Sequence, residues 1–278
     1  MTTRMDFTSP DSYLVNCSTL LTEHPVLDRA DAAARAGFSR VEFWWPFDGE
    51  PRPADAAVDG FIASLAAAGV SLEGLNFWAG AMAQGDRGMV SVIGRRDEVA
   101  DNAAIVAEIG RRTGCTAFNA LYGLRQDGQD PQAQDELAVE NLVTAAEAVA
   151  PIGGTVLVEP VSGAESYPLK TAADALAVVE KVRRAGATNV ALLADFFHMA
   201  VNGDDVAAVI EQHAREFGHV QIADAPGRGA PGTGELPLQE WVELAYDRGY
   251  AGPVALEYKQ EQETAFDWLR QPAGSPQG

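Results

Sequence analysis

Eight times along this chain a short run of strand-forming residues gives way to a stretch with helical periodicity, and few folds accommodate that alternation. The runs are Tyr13–Cys17, Arg40–Trp44, Ser71–Phe77, Thr116–Leu121, Thr155–Glu159, Val190–Asp195, His219–Ile222 and Pro253–Tyr258. Helical patterns lie between them at Val26–Ala36, Phe61–Ala68, Glu98–Arg112, Glu136–Val149, Thr171–Arg184, Val206–Glu216 and Leu238–Asp247, with a last one expected at Glu263–Leu269. In Glu98–Arg112, Val99, Ala103, Val106 and Ile109 fall on one stripe, and Asp205 stands as the N-cap of Val206–Glu216. Strands that alternate with helices form parallel βαβ units. Eight such units without a break in composition predict one closed (β/α)8 barrel, a single α/β domain over residues 1–278. Met1–Ser12 reads as a loose arm and Gln271–Gly278 as a disordered Pro/Gly tail. Gly37, Gly69, Gly114, Gly186 and Gly249 mark helix ends, several of them just before the next strand.

With 47% hydrophobic residues among 278, the chain can bury a sizeable core. A formal net charge of −20 argues against nucleic acid and anionic membranes, which would repel it. The two cysteines, Cys17 and Cys115, fit neither a disulfide framework nor a zinc spacing, and both read as small core residues. No cationic-apolar leader opens the sequence, and no apolar run approaches about 18 residues, so a cytoplasmic protein is expected.

Strands of such a barrel are covered on both faces and should be almost wholly apolar. Polar side chains at their C-terminal ends are costly unless paired or used. Strand five ends in Glu159, strand six in Asp195, strand seven carries Gln221, and strand eight ends in Glu257. Neighbouring strands lie about 5 Å apart, so these four can converge on one ion. Three carboxylates and an amide are hard oxygen ligands, suited to Mg²⁺ or Mn²⁺ rather than zinc. Glu42, Asn76 and Asn119 end strands two to four and could support the rim or orient a substrate. His198 follows strand six. His24, His213 and His219 are weaker candidates, His219 because it opens its run and so should face the bottom of the barrel. Trp44, Trp45 and Phe47 could wall a pocket or pack beneath a loop.

After strand seven comes a glycine- and proline-rich loop with Asp224, Arg228 and Glu235. Gly227 to Gly232 reads formally as G-x-G-x-x-G, but no helix opens at its third glycine and Pro231 interrupts it, so a dinucleotide site is rejected.

Glu159-Pro160, Asp195-x-x-His198, His219-x-Gln221-Ile222-Ala223-Asp224, Arg228-Gly229-x-Pro231-Gly232-Thr233-Gly234-Glu235 and Glu257-Tyr258-Lys259 resemble the hydroxypyruvate isomerase family. Val41-Glu42-Phe43 and Gly85-Asp86-Arg87-Gly88 match it as well, and the similarity runs from about Tyr13 to Trp268. That family belongs to the xylose isomerase-like TIM barrels, with the ketose 3-epimerases. The resemblance implies Glu159, Asp195, Gln221 and Glu257 as ligands of Mg²⁺ or Mn²⁺, and Glu159 and Glu257 as the acid/base pair. The epimerases usually carry His where Gln221 stands, which favours the isomerase branch. His198 and Arg228 match positions that hold substrate oxygens. Two stretches depart from the family pattern. Trp45-Pro46-Phe47-Asp48 replaces a Phe-Pro-Tyr-Asp-like run, and Val161-Ser162-Gly163 stands where an Asn-containing turn is common.

The implied activity is isomerisation of hydroxypyruvate to tartronate semialdehyde through an enediolate. A small hydroxy-oxo acid needs a cation for its carboxylate, and Arg87, Arg228 and Lys259 are the candidates. A loop with Gly80, Gly85 and Gly88 could close over the mouth. The open alternatives are a 2-oxo-tetronate isomerase, a 3-epimerase of neutral ketoses, a non-catalytic sugar-binding protein and a barrel endonuclease. The acidic charge and scarcity of histidine weigh against the last. A homodimer or homotetramer is compatible with such a barrel.

Overall fold

The eight strands hydrogen-bond in chain order, all parallel, and the eighth returns to the first, so no sheet edge is left open. This is the expected (β/α)8 barrel, seen in a computed structural model that describes residues 5–260 and 264–270. The strands are β1 (Tyr13–Asn16), β2 (Arg40–Phe43), β3 (Ser71–Asn76), β4 (Ala117–Asn119), β5 (Thr155–Val158), β6 (Val190–Asp195), β7 (Phe217–Ile222) and β8 (Val254–Leu256). The helices are α1 (Arg29–Arg35), α2 (Asp55–Ala68), α3 (Arg96–Thr113), α4 (Pro131–Val149), α5 (Ala172–Arg184), α6 (Phe196–Asn202), α7 (Val206–His213) and α8 (Leu238–Asp247). Among the described residues no helix is long and apolar enough to cross a membrane.

Local signals explain most boundaries. Thr171 and Asp174 form a reciprocal capping box at the start of α5. Asp130 caps α4 with Pro131 at its first position, so that helix starts five residues earlier than its apolar periodicity indicates. Asp205 caps α7, accepting from the Ala208 N–H, and the last turn of the expected Val206–Glu216 helix tightens into a 3-10 turn at Ala214–Glu216. The stripe expected on α3 is buried throughout. Removing Val106 and Ile109 from water is worth about 1.5–3 kcal/mol each. The five marked glycines all have positive φ.

Two expectations change. The seventh strand begins at Phe217, which makes His219 its third residue and places it in the barrel interior rather than at the bottom rim. A short helix, α6, follows β6 directly where a turn was expected, and His198 sits on it. At the ends, part of the expected Glu263–Leu269 helix lies outside the described residues, and Asp267–Arg270 is a 3-10 turn. Of the expected arm, residues 1–4 lie outside the described residues, while Met5 and Phe7 pack against the core. The expected tail, 271–278, lies outside them too.

Candidate active site

The C-terminal ends of the last four strands carry four buried polar side chains. Glu159 follows β5, Asp195 ends β6, Gln221 lies in register with it on β7, and Glu257 follows β8. One ligand atom each from Glu159, Asp195, His198 and Glu257 falls within 4.8 Å of all the others. Each of these residues is at most 5% exposed, and Gln221 is 2% exposed.

Each side chain is aimed by a neighbour. Asp195 is also the N-cap of α6. Its Oδ1 accepts the N–H groups of Phe197 and His198 at 2.8 and 3.1 Å, which turns Oδ2 toward the cluster. Asn119 Nδ2 donates to Glu159 Oε2 at 2.7 Å. Glu257 Oε1 accepts from Trp44 Nε1 at 2.7 Å and Asn16 Nδ2 at 3.0 Å, while Oε2 pairs with Arg228 Nη2. Arg228 has φ of +58°, lies over the Phe197 ring, and donates from Nε to the Glu257 carbonyl at 3.1 Å. Its glycine loop is folded around the buried Asp224, whose carboxylate accepts the N–H groups of Ala225, Gly232, Gly234 and Leu236.

Crowding three carboxylates where water is excluded shifts their titration. Burial, then the nearby Glu257 and Asp195, push the Glu159 carboxyl well above the usual carboxylate range. Burial also drives Glu257 up to about 8, with Arg228 opposing and Asp195 and Glu42 adding to the rise. For His198, burial is the largest cause of a fall to about 4, with Asp195 opposing and Arg228 and Lys259 reinforcing it. A dication among these groups reverses this logic, because its charge favours the ionised carboxylates.

The donor set fits such an ion. Among the described residues, four buried side-chain polar atoms lack a hydrogen-bond partner. Three of them are oxygens of rim side chains: Asn119 Oδ1, Asp195 Oδ2 and Gln221 Oε1. A buried oxygen without a hydrogen bond costs about 1–3 kcal/mol, so each calls for a cation or donor, and Asp195 Oδ2 has Arg228 Nη2 only at 3.7 Å. His198 is of a different kind. The Ser162 N–H donates to its Nδ1 at 3.0 Å, with Ser162 Oγ at 2.7 Å. Nδ1 is therefore the acceptor, and the neutral ring carries its proton on Nε2, 3.6 Å from Asp195 Oδ2 and 3.9 Å from Glu159 Oε1. A protonated nitrogen donates hydrogen bonds and does not ligate metal.

The remaining candidates are spread around the mouth. Glu42 lies beneath the rim, bound to Asn16, His219 and Gln221. Burial would raise its carboxyl, yet His219, Gln221 and Asn16 together hold it below the usual range. Asn76 ends β3 in register with Asn119 and is buried. Lys259 is exposed, with its backbone N–H on the Arg228 carbonyl at 2.8 Å. Arg87 donates to the carbonyls of Met82 and Asp86 within its own loop. Gly88 permits that loop to sit against the segment that follows β4: a Cβ there would lie 2.0 Å from the Leu121 carbonyl oxygen. Trp44 and Trp45 line a cavity of about 570 Å³ with Gly80 and Met82, while Phe47 packs edge-on against Trp45 and Phe61. The sequence reading passed over Asn16, although it is a polar residue at a strand end like the others, and over Trp44 as a donor to Glu257.

Comparison with known proteins agrees with this geometry. Residues 30–272 match the family model described as xylose isomerase-like TIM barrel. A Streptomyces coelicolor protein named "Putative hydroxypyruvate isomerase" is 47% identical over 94% of this chain and 95% of its own length. A Haemophilus influenzae 2-oxo-tetronate isomerase is 29% identical over 93% of this chain and 98% of its own. Among solved structures, one from Brucella melitensis titled as an AP endonuclease, family 2, superposes with a TM-score of 0.82 at 32% identity, covering 94% of this chain and 98% of that one.

Proposed function

The chain belongs to the hydroxypyruvate isomerase family of xylose isomerase-like TIM barrels and is an isomerase, and on that premise we propose that it interconverts hydroxypyruvate and tartronate semialdehyde with the aid of one Mg²⁺ or Mn²⁺ ion. Glu159, Asp195, Gln221 and Glu257 would hold the ion. The observation that carries the reading is the pair of buried glutamates, Glu159 and Glu257, whose ligand atoms lie within 4.8 Å of each other and of Asp195. When bound, the ion supplies Lewis-acid charge that lowers the energy of an enediolate and of the transition states flanking it.

The residues of the chain move the protons. One glutamate takes the proton from C3 of hydroxypyruvate, and the C2 carbonyl becomes part of the enediolate. The other returns a proton to C2, while the C3 hydroxyl proton passes to the C2 oxygen. The carbonyl has then moved from C2 to C3, and no oxidant or reductant is consumed. His198 offers its Nε2–H to a substrate oxygen, and Arg228 steadies Glu257 and the developing charge. Arg87 or Lys259 would meet the substrate carboxylate, Arg87 after exchanging its loop carbonyls for the ligand.

A four-carbon 2-oxo-tetronate would undergo the same shift, and the similarity to the Haemophilus influenzae protein favours it as the second substrate. Proton exchange followed by magnetic resonance in deuterated water tests both. With Mn²⁺ or Mg²⁺ present, deuterium should enter hydroxypyruvate or 2-oxo-tetronate as the isomer forms. Turnover confined to neutral ketoses would transfer the chain to the epimerases, and no exchange in any substrate would make it a binding protein.

A further inference from the structure

We propose that Glu42, held in place by His219, is a positioning residue that orients the Gln221 amide so that its oxygen, not its nitrogen, faces the ion. The inference rests on the proposal that Gln221 is an ion ligand. A glutamine side chain can present either end, and which end turns toward a neighbour is decided by that neighbour's hydrogen bonding. Asn16 spends its own oxygen on the Ser18 N–H and donates from Nδ2 to Glu42 Oε1, so that buried carboxylate oxygen is an acceptor. Glu42 Oε1 faces the Gln221 amide at 2.8 Å, so that end must be the NH2 group. The opposite end, Oε1, is then the buried oxygen without a donor. The flipped amide would set its oxygen against the Glu42 carboxylate and offer N–H groups to a cation, and both arrangements are repulsive.

Glu42 itself cannot turn away. His219 Nε2 holds its Oε2 at 2.7 Å, and Asn16 Nδ2 shares its Oε1 at 2.8 Å. The adjoining strand is shaped to admit it. The β2–β3 register shifts between Val41 and Glu42, and the residue opposite Glu42 is Gly74. A Cβ on Gly74 would lie 2.9 Å from Glu42 Cβ and 3.0 Å from Glu42 Oε2. Asn16 also donates to Glu257, so the same group steadies a second side chain of the cluster. His219 and Glu42 thus act on the site without reaching it.

Mn²⁺ titration of the metal-free full-length protein, read by calorimetry or by the paramagnetic resonance of free Mn²⁺, tests this without recourse to activity. Glu42→Gln supplies an amide that can accommodate either orientation of Gln221. It should raise the Mn²⁺ Kd about 10- to 100-fold, as loss of an outer partner does at other metal sites. Gln221→Ala should weaken binding to a similar degree, and Glu42→Gln should add no more than about twofold in the Gln221→Ala background. Should Glu42→Gln prove too unstable to purify, His219→Gln takes its place in the same cycle, with a smaller loss expected. If Gln221→Ala weakens binding but neither Glu42→Gln nor His219→Gln does, the positioning role is overturned. Effects that multiply in the double variant overturn it equally, since Glu42 would then act independently of Gln221. If Gln221→Ala leaves the Kd unchanged, Gln221 is no ligand, and the proposed ion site fails along with the inference.

Discussion

Ser162 gives its backbone N–H to Nδ1 of His198 at 3.0 Å, and that one bond decides which ring nitrogen faces the cluster with a proton. Ser162 lies in the turn after Glu159-Pro160. If His198 is a donor to substrate and not an ion ligand, His198→Ala should leave the Mn²⁺ Kd within about threefold while KM rises tenfold or more. Calorimetry and steady-state kinetics on one preparation check both halves. A loss of ion affinity beyond tenfold would make His198 a ligand. Ser162→Ala keeps the backbone donor, so the Nε2–H form should persist in nitrogen-15 spectra of the ring with only a few-fold rise in KM.

The two glutamates should be indispensable to turnover and dispensable to folding. Glu159→Gln and Glu257→Gln preserve shape and relieve carboxylate crowding in the ion-free protein, where Glu159 is pushed up by Glu257 and Asp195. Each should lower kcat by about 10² to 10⁴. Thermal midpoints without ion should stay level or rise. Activity within tenfold of the parent in either variant removes that residue from the proton transfers.

Ion-free protein should lose stability as pH rises from about 6.5 to 8. The folded-state pKa of Glu257, about 8, stands above its ordinary value of 4.5, and Glu159 is shifted the same way. Between those limits the folded chain binds more protons than the unfolded one, so stability falls with rising pH. His198 works in the opposite sense, but only between about 4 and its ordinary value of 6.5, which confines the clean window to higher pH. Urea midpoints in chelator at the two ends of that window measure the slope. Saturating Mn²⁺ should flatten or reverse it, and binding should release protons, seen as calorimetric heats that vary with the buffer. A stability that climbs through the window without ion would contradict the carboxylate assignments.

Asp224 should matter more to stability than to chemistry. Its fully buried carboxylate gathers four backbone N–H groups from residues 225 to 236 and so closes the loop that carries Arg228. Asp224→Ala orphans those donors and should cost about 3 kcal/mol, read as a lower urea midpoint, with new protease sensitivity in the loop. Asp224→Asn retains one acceptor oxygen and should cost roughly half as much. An Asp224→Ala variant as stable as the parent would deny the loop this centre.

The order of strands and helices was legible from the sequence because periodicity and caps are local: a parallel strand covered on both faces must be apolar, and a polar residue at its end stands out without any partner being known. By that rule Glu159, Asp195, Gln221 and Glu257 were singled out; ligand atoms of Glu159, Asp195 and Glu257 come within 4.8 Å of one another, with His198 among them, and Gln221 lies in register with Asp195. Only the closed barrel determines how each is aimed. Asn16 comes to bridge Glu42 and Glu257 because β1 lies between β2 and β8 once the sheet closes, a neighbourhood that spans 241 residues of chain. His219 lies within the barrel and not at its lower rim because its strand starts two residues earlier than its apolar run, which changes nothing in its composition and everything in its surroundings. Composition and spacing determine which groups reach the rim. Hydrogen bonds between residues distant in sequence determine which atom of each group faces inward, because an amide, an imidazole or a carboxylate has two ends and only a packed neighbour chooses between them.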